Sequence, residues 1–200
     1  SELGTEPALS FGDLFNKFEE RAVRYDDTED FSGIVEELAM YYVAELGIGA
    51  DPQELLKTAT KSFGNAIPIG KPFPLVIYMA GFNGMGFENY RALENLAENG
   101  FVVVSIWSVG RYPGNMTNQK EDMLEQVLDA EFAIEYLSRN KTISADLSRI
   151  GLLGYSWGGM SAAVLANRHQ DIKSMVSFDG TETHYFGEPD TNQYYGGAKG

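Results

Sequence analysis

The sequence contains no cysteine. That excludes a disulfide scaffold, a thiolate zinc site and a cysteine nucleophile. Histidine occurs only at positions 169 and 184, too few for a multi-histidine metal site, and no metal or organic cofactor is expected. Basic residues are scarce: 15 Lys plus Arg stand against 29 Asp plus Glu, a net charge of −14. A chain this acidic repels phosphate, which argues against nucleic acid and anionic membrane surfaces as partners. Long apolar runs are missing too. The longest, around Phe73–Phe82, falls far short of the ~20 residues that cross a bilayer, so no membrane span is expected. The sequence opens on Ser1, without Met and without a signal-peptide pattern, as either a processed or an excised chain would. An exported location, periplasmic or secreted, is favoured over the cytoplasm. What is present is a globular composition, 44% hydrophobic and 12% aromatic over 200 residues, enough for one buried core.

Residues 1–64 predict a helical segment, a cap or added layer packed on the main body. Leu14, Phe15 and Phe18 recur at helical spacing, as do Ile34, Leu38, Tyr41 and Tyr42. Gly47 and Gly49 end the second helix. Asp51-Pro52 then supplies an N-cap and a first-turn proline for a helix expected to run to about Ser62. From residue 65 to 200 the pattern changes. Four short apolar runs, Leu75–Met79, Phe101–Trp107, Arg149–Leu153 and Ile172–Phe178, alternate with helical stripes at Tyr90–Ala97, Met123–Leu137 and Trp157–Arg168. Strands apolar on both faces and separated by helices predict an α/β fold with a mostly parallel sheet between helical layers.

Gly154-Tyr155-Ser156-Trp157-Gly158 reads G-x-S-x-G. It follows the apolar run ending at Leu153 and opens a small-residue helix, the strand–turn–helix setting of a nucleophile elbow. Glycines two residues either side of the serine remove side chains that would clash across the tight turn. A serine nucleophile needs a base, an orienting acid and an oxyanion hole. Asp179 ends the following strand at the carboxyl edge of the sheet, where sites of parallel sheets lie; Glu182 and Asp190 are less well placed. The oxyanion donors are expected to be the backbone amides of Trp157 and of Phe82, in the Gly-rich loop after Leu75–Met79, with Asn83 second.

The base is the open position. His169 lies 13 residues past Ser156 along a helix, about 20 Å away at ~1.5 Å per residue. His184, five residues after Asp179, could span up to ~17 Å. The leading expectation is a histidine beyond Gly200, with His184 the candidate inside the chain and no catalytic histidine as a further alternative. Phe82, Phe87, Trp107, Tyr112 and Trp157 suggest an apolar pocket, although each also suits plain packing.

Phe73–Phe82, Gly100–Ser105 and Arg149–Gly159 together resemble an α/β-hydrolase, nearest the platelet-activating-factor acetylhydrolase and dienelactone-hydrolase-like branch. The resemblance covers about residues 66–180. It implies an esterase-like enzyme with Ser156 as nucleophile, Asp179 as acid and the Trp157 and Phe82 amides as oxyanion donors. Two departures stand out. Ala80 occupies the position where that family usually has histidine before glycine, and the cysteine nucleophile of the dienelactone hydrolases proper is absent. The family also usually has further strands on both sides of this stretch and a histidine after the acid. The chain therefore reads as the middle of a larger hydrolase, missing outer strands and the catalytic base. The expected activity is cleavage of a small-molecule carboxylic ester. A non-catalytic binding domain and a peptidase or acyltransferase on the same fold are the alternatives. An unprotected sheet edge would favour association with another copy or with the rest of its own chain.

Overall fold

The computed structural model describes residues 7–25, 28, 30–46, 51–111, 116–140 and 142–179. His184, Glu182, Asp190 and Tyr112 lie outside the described residues. The chain divides into two compact units, Ser1–Ile67 and Pro68–Gly200.

In the first unit, β1 (Ala8–Ser10) leads into α1 (Phe11–Tyr25), followed by α2 (Ile34–Leu46), α3 (Pro52–Lys57) and β2 (Ala59–Phe63). Ser10 and Asp13 form a reciprocal cap at the start of α1: the Ser10 amide donates to Asp13 Oδ2 at 2.7 Å and the Asp13 amide donates to Ser10 Oγ at 3.2 Å. Phe15 is fully buried and packs against Tyr42 of α2, with ring centroids 5.5 Å apart. The Asp51 cap and Pro52 start α3 as expected, the Gln53 amide donating to Asp51 Oδ1 at 2.9 Å. The helix does not reach Ser62. It stops at Lys57, Thr58 turns extended, and Ala59–Phe63 becomes a strand antiparallel to β1. β-Branched Thr58 and Thr60 favour that extension, and Thr60 Oγ1 donates to the Leu9 carbonyl at 2.7 Å across the pair.

The second unit is an α/β layer structure. Its strands are β3 (Phe73–Met79), β4 (Val102–Ile106), β5 (Ala145–Tyr155) and β6 (Ile172–Phe178), and its helices are α4 (Tyr90–Glu98), α5 (Lys120–Arg139) and α6 (Trp157–Arg168). The sheet order is β4-β3-β5-β6 and every pairing is parallel. Alternation along β3 serves two cores. Leu75, Ile77 and Met79 face residues of α5 and α6, whereas Val76, Tyr78 and Ala80 join Leu93 and Leu96 of α4. Both faces are therefore buried, at ~1.5–3 kcal/mol for each large apolar side chain.

Register decides where the loops emerge. Met79 is level with Ile106 on one side and with Gly154 on the other, and Tyr155 is level with Phe178. The residues that follow these strands, Ala80, Ser156 and Asp179, consequently leave one carboxyl edge on adjacent strands, which lie ~4.8 Å apart.

Candidate active site

Ser156 stands between β5 and α6 at φ 50° and ψ −121°. This conformation is costly for a residue with a Cβ, about 1–3 kcal/mol, and persists only where the surroundings hold it. Two contacts hold it here. The Ser156 amide donates to the Phe178 carbonyl of β6 at 2.9 Å, and the Gly159 amide donates to the Ser156 carbonyl at 2.8 Å. The flanking glycines are sterically required. A Cβ on Gly154 would lie 2.6 Å from Gly159 Cα, and one on Gly158 would lie 2.0 Å from the Met79 carbonyl oxygen. The small helix residues thus let α6 start directly against the end of β3. Trp157 is the first residue of α6, so its amide is among the helix donors with no intrahelical acceptor.

The loop after β3 runs beside the serine. A Cβ on Gly81 would lie 3.1 Å from the Tyr155 ring and 3.6 Å from Ser156 Cβ. The Gly84 amide closes a turn onto the Gly81 carbonyl at 2.8 Å. Asn83, at φ 53°, directs its amide to Met116 Sδ at 3.5 Å. That contact engages the Asn83 amide; the other amide expected as an oxyanion donor on this loop is that of Phe82. Its side chain is 45% exposed, and its ring stands edge-on to Trp157 at 5.5 Å. Phe87 and Trp107 form a second edge-on pair at 6.4 Å. Phe87 and Trp157 are buried, which leaves Phe82 as the more accessible aromatic of the pair it forms with Trp157.

Beneath this loop lies a polar cluster. The Asn89 amide group donates to Tyr78 Oη at 2.8 Å, and Tyr78 Oη lies 3.5 Å from Glu88 Oε2. Burial pushes the Glu88 carboxyl up, against hydrogen bonds from its own amide and those of Met85 and Gly86. Burial and then the Glu88 carboxylate push the Tyr78 phenol up.

On the other flank, Asp179 follows β6 at φ 60°, a left-handed position that aspartate tolerates better than most residues. His169 caps the far end of α6, with Nε2 3.1 Å from Glu131 Oε1. It is a full helix length from Ser156. A shallow groove of about 240 Å³ lined by Phe132, Tyr136 and Arg139 sits at the C-terminal end of α5, also away from the serine.

Two buried polar residues of α5 complete the surroundings and were not singled out from the sequence. Asp122 accepts from Arg111 Nε at 2.7 Å and from Thr117 Oγ1 at 2.6 Å. Burial alone would raise this carboxyl, but those hydrogen bonds outweigh it and hold the pKa at about 2. Gln126, one turn on, donates to the Ala80 and Ile106 carbonyls at 3.0 and 3.3 Å. The usable signal was their position: 122 and 126 share the inward arc of α5 with Met123, Val127 and Ala130. No group of metal-ligating side chains occurs among the described residues, and no described helix is long and apolar enough to cross a membrane.

Comparison with known proteins agrees with this architecture. Residues 65–193 match the sequence model of the dienelactone hydrolase family. Among solved structures, a ferulic acid esterase from Streptomyces cinnamoneus is similar at 22% identity and TM-score 0.54, over 86% of this chain and 47% of that one. DcsB, solved with its substrate analogue, is 27% identical over 54% of this chain and 37% of its own, with TM-score 0.44. An α/β-hydrolase, GrgF, from Penicillium sp. sh18 is 18% identical over 56% and 38% respectively, with TM-score 0.45. The chain spans less than half the length of each of these three structures. No curated protein sequence matches it.

Proposed function

Because the chain belongs to the dienelactone hydrolase family, we propose that it is a serine hydrolase that cleaves a carboxylic ester through an acyl-enzyme on Ser156. The observation that carries this reading is the backbone of Ser156, at φ 50° on a strand-to-helix turn, packed between two glycines that admit no side chain. A turn held in that conformation presents the hydroxyl above the sheet edge. Asp179 leaves the adjacent strand and is assigned the orienting carboxylate, which stabilises an imidazolium without taking its proton. The base is assigned to a histidine beyond Gly200, with His184 the alternative within the chain. His169 is not a candidate, since it faces Glu131 at the opposite end of α6.

In the acylation step, the base removes the Ser156 proton as Oγ attacks the ester carbonyl. The oxyanion that forms is met by the amides of Trp157 and Phe82. The alkoxide leaves with the proton held by the base, and water repeats the sequence to release the acid. The aromatic Phe82 beside the serine suits an apolar acyl group. A fluorophosphonate probe is expected to label Ser156 in the protein as its gene encodes it. Ser156→Ala is expected to abolish labelling and to lower p-nitrophenyl ester turnover by about 10⁶. Labelling that persists in Ser156→Ala would show the nucleophile to be elsewhere.

A further inference from the structure

Gln126 is 2% exposed and sits among apolar Met123, Val127 and Ala130 on the inner face of α5. Leucine or methionine would fill such a place without burying an amide. The glutamine spends both of its donor contacts on the ends of two strands, the Ala80 carbonyl after β3 and the Ile106 carbonyl of β4. Its Oε1 is buried with no hydrogen-bond partner, an unfavourable arrangement that a purely packing role does not explain. The Ile106 carbonyl already accepts from the Ala80 amide at 3.1 Å, so the contact peculiar to Gln126 is the one to Ala80.

The Ala80 carbonyl is also confined by α6. A Cβ on Gly158 would lie 2.5 Å from it. The first turn of α6 and the Gln126 amide therefore clamp the peptide between Ala80 and Gly81. The Gly84 amide pins the next carbonyl, that of Gly81, and Met116 Sδ takes the Asn83 amide. Phe82 is the residue left between these fixed points.

We infer that Gln126 is a positioning residue for the oxyanion loop: by holding the Ala80 carbonyl it anchors the peptide from which the next one, Gly81–Phe82, leaves, and so places the Phe82 amide beside Ser156. This role rests on the serine-hydrolase reading given above. Gln126 touches no reacting atom. Without it, the Ala80–Gly81 peptide keeps only its packing against α6, and a small shift of the loop moves the Phe82 donor out of line with the developing oxyanion. Removal of an oxyanion donor lowers turnover by ~10²–10³, so misalignment is expected to cost tenfold or more.

The test uses the protein as its gene encodes it and measures fluorophosphonate labelling against probe concentration, which separates the limiting rate from half-saturation. Gln126→Leu is expected to lower the limiting rate at least tenfold, with half-saturation changed less than twofold and the thermal melt within a few degrees of the parent. Gln126→Glu adds a readout that packing would not move. Its carboxylate repels the Ala80 carbonyl, but its protonated form donates to it again. The ratio of variant to parent rate is therefore expected to climb as pH falls from 8 to 5. Ser156→Ala, run in parallel, separates the two ideas. If Ser156→Ala is silent while Gln126→Leu labels within twofold of the parent, the positioning role is wrong and the nucleophile stands. If Ser156→Ala still labels, the serine reading fails and this role with it. Should Gln126→Leu not fold, a flat Gln126→Glu ratio across pH overturns the inference.

Discussion

Replacing Gly158 by alanine puts a methyl group where the backbone of β3 already lies. The added Cβ would stand 2.0 Å from the Met79 carbonyl oxygen and 2.5 Å from that of Ala80. Relief cannot come from rotating a side chain, because both obstacles are main chain. β3 also cannot retreat, since it is paired on both sides, to β4 and to β5. The helix α6 must instead lift by more than 1 Å, a displacement at or beyond the top of the ~1–3 kcal/mol range for overpacking. Alanine returns ~1 kcal/mol as the better helix former. The net loss is then about 2 kcal/mol or more, and the melting temperature is expected to fall by roughly 4–8 °C. Differential scanning calorimetry of Gly158→Ala beside Gly70→Ala would measure it. Gly70 has nothing within 4 Å of its would-be Cβ, so its variant is expected to melt within about a degree of the parent. The same labelling assay is expected to find Ser156 displaced and slow in Gly158→Ala. A Gly158→Ala protein that melts and labels like the parent would refute the close contact between α6 and β3 on which the elbow geometry depends.

Three further expectations concern charge. Asp122 has a folded pKa of about 2, depressed below its unfolded value near 3.9. Its stabilisation, about 2 kcal/mol, is present above pH 4 and is lost as pH falls towards 2. Thermal melts of Asp122→Asn across that window are expected to show a shallower acid decline than the parent; an identical slope would remove Asp122 as its source. Asp179→Asn is expected to lower ester turnover by about 10⁴ with substrate affinity little changed, and unchanged turnover would move the acid to another carboxylate. His169→Gln is expected to keep turnover within twofold, because His169 pairs with Glu131 away from the serine. A loss of a hundredfold or more would make it part of the machinery.

The centre of the sheet was legible because β3 and β4 are apolar on both faces. Leu75–Met79 is a short continuous run; Ile172–Phe178 is interrupted by Lys173, Ser174 and Ser177 and is partly exposed, so it was marked by its place after the elbow helix rather than by burial on both faces. The serine turn was legible for a different reason, the steric need for glycine at 154 and 158. The β1–β2 pair was not. β1 has three residues, too few to show alternation, and Asp51-Pro52 is so good a helix start that it masks the weak stop signal after Lys57. Thr58 and Thr60 were the available hint. Asp122 and Gln126 were passed over because a polar residue in a helical stripe ordinarily faces water. Only the placement of β3, β4 and the 107–117 loop shows what those side chains satisfy. The engagement of the Asn83 amide could not be foreseen from sequence, since the sulfur that takes it comes from Met116, far along the chain.

The strand order also bears on how the chain is made. β3 pairs with β5, yet some 65 residues separate Met79 from Ala145. At ~5–20 residues per second of synthesis, β3 waits about 3–13 s for that neighbour. During the interval its β5-facing edge stays open, and its sequence, Phe73–Met79, is almost wholly apolar. Such a segment is liable to pair with another nascent chain. Lys71, Pro72 and Pro74 stand at its entrance, where a charge and two residues lacking an amide donor discourage that pairing. Exchanging Pro72 and Pro74 for residues with amide donors should therefore show first as a lower soluble yield during expression, before any change in the finished protein.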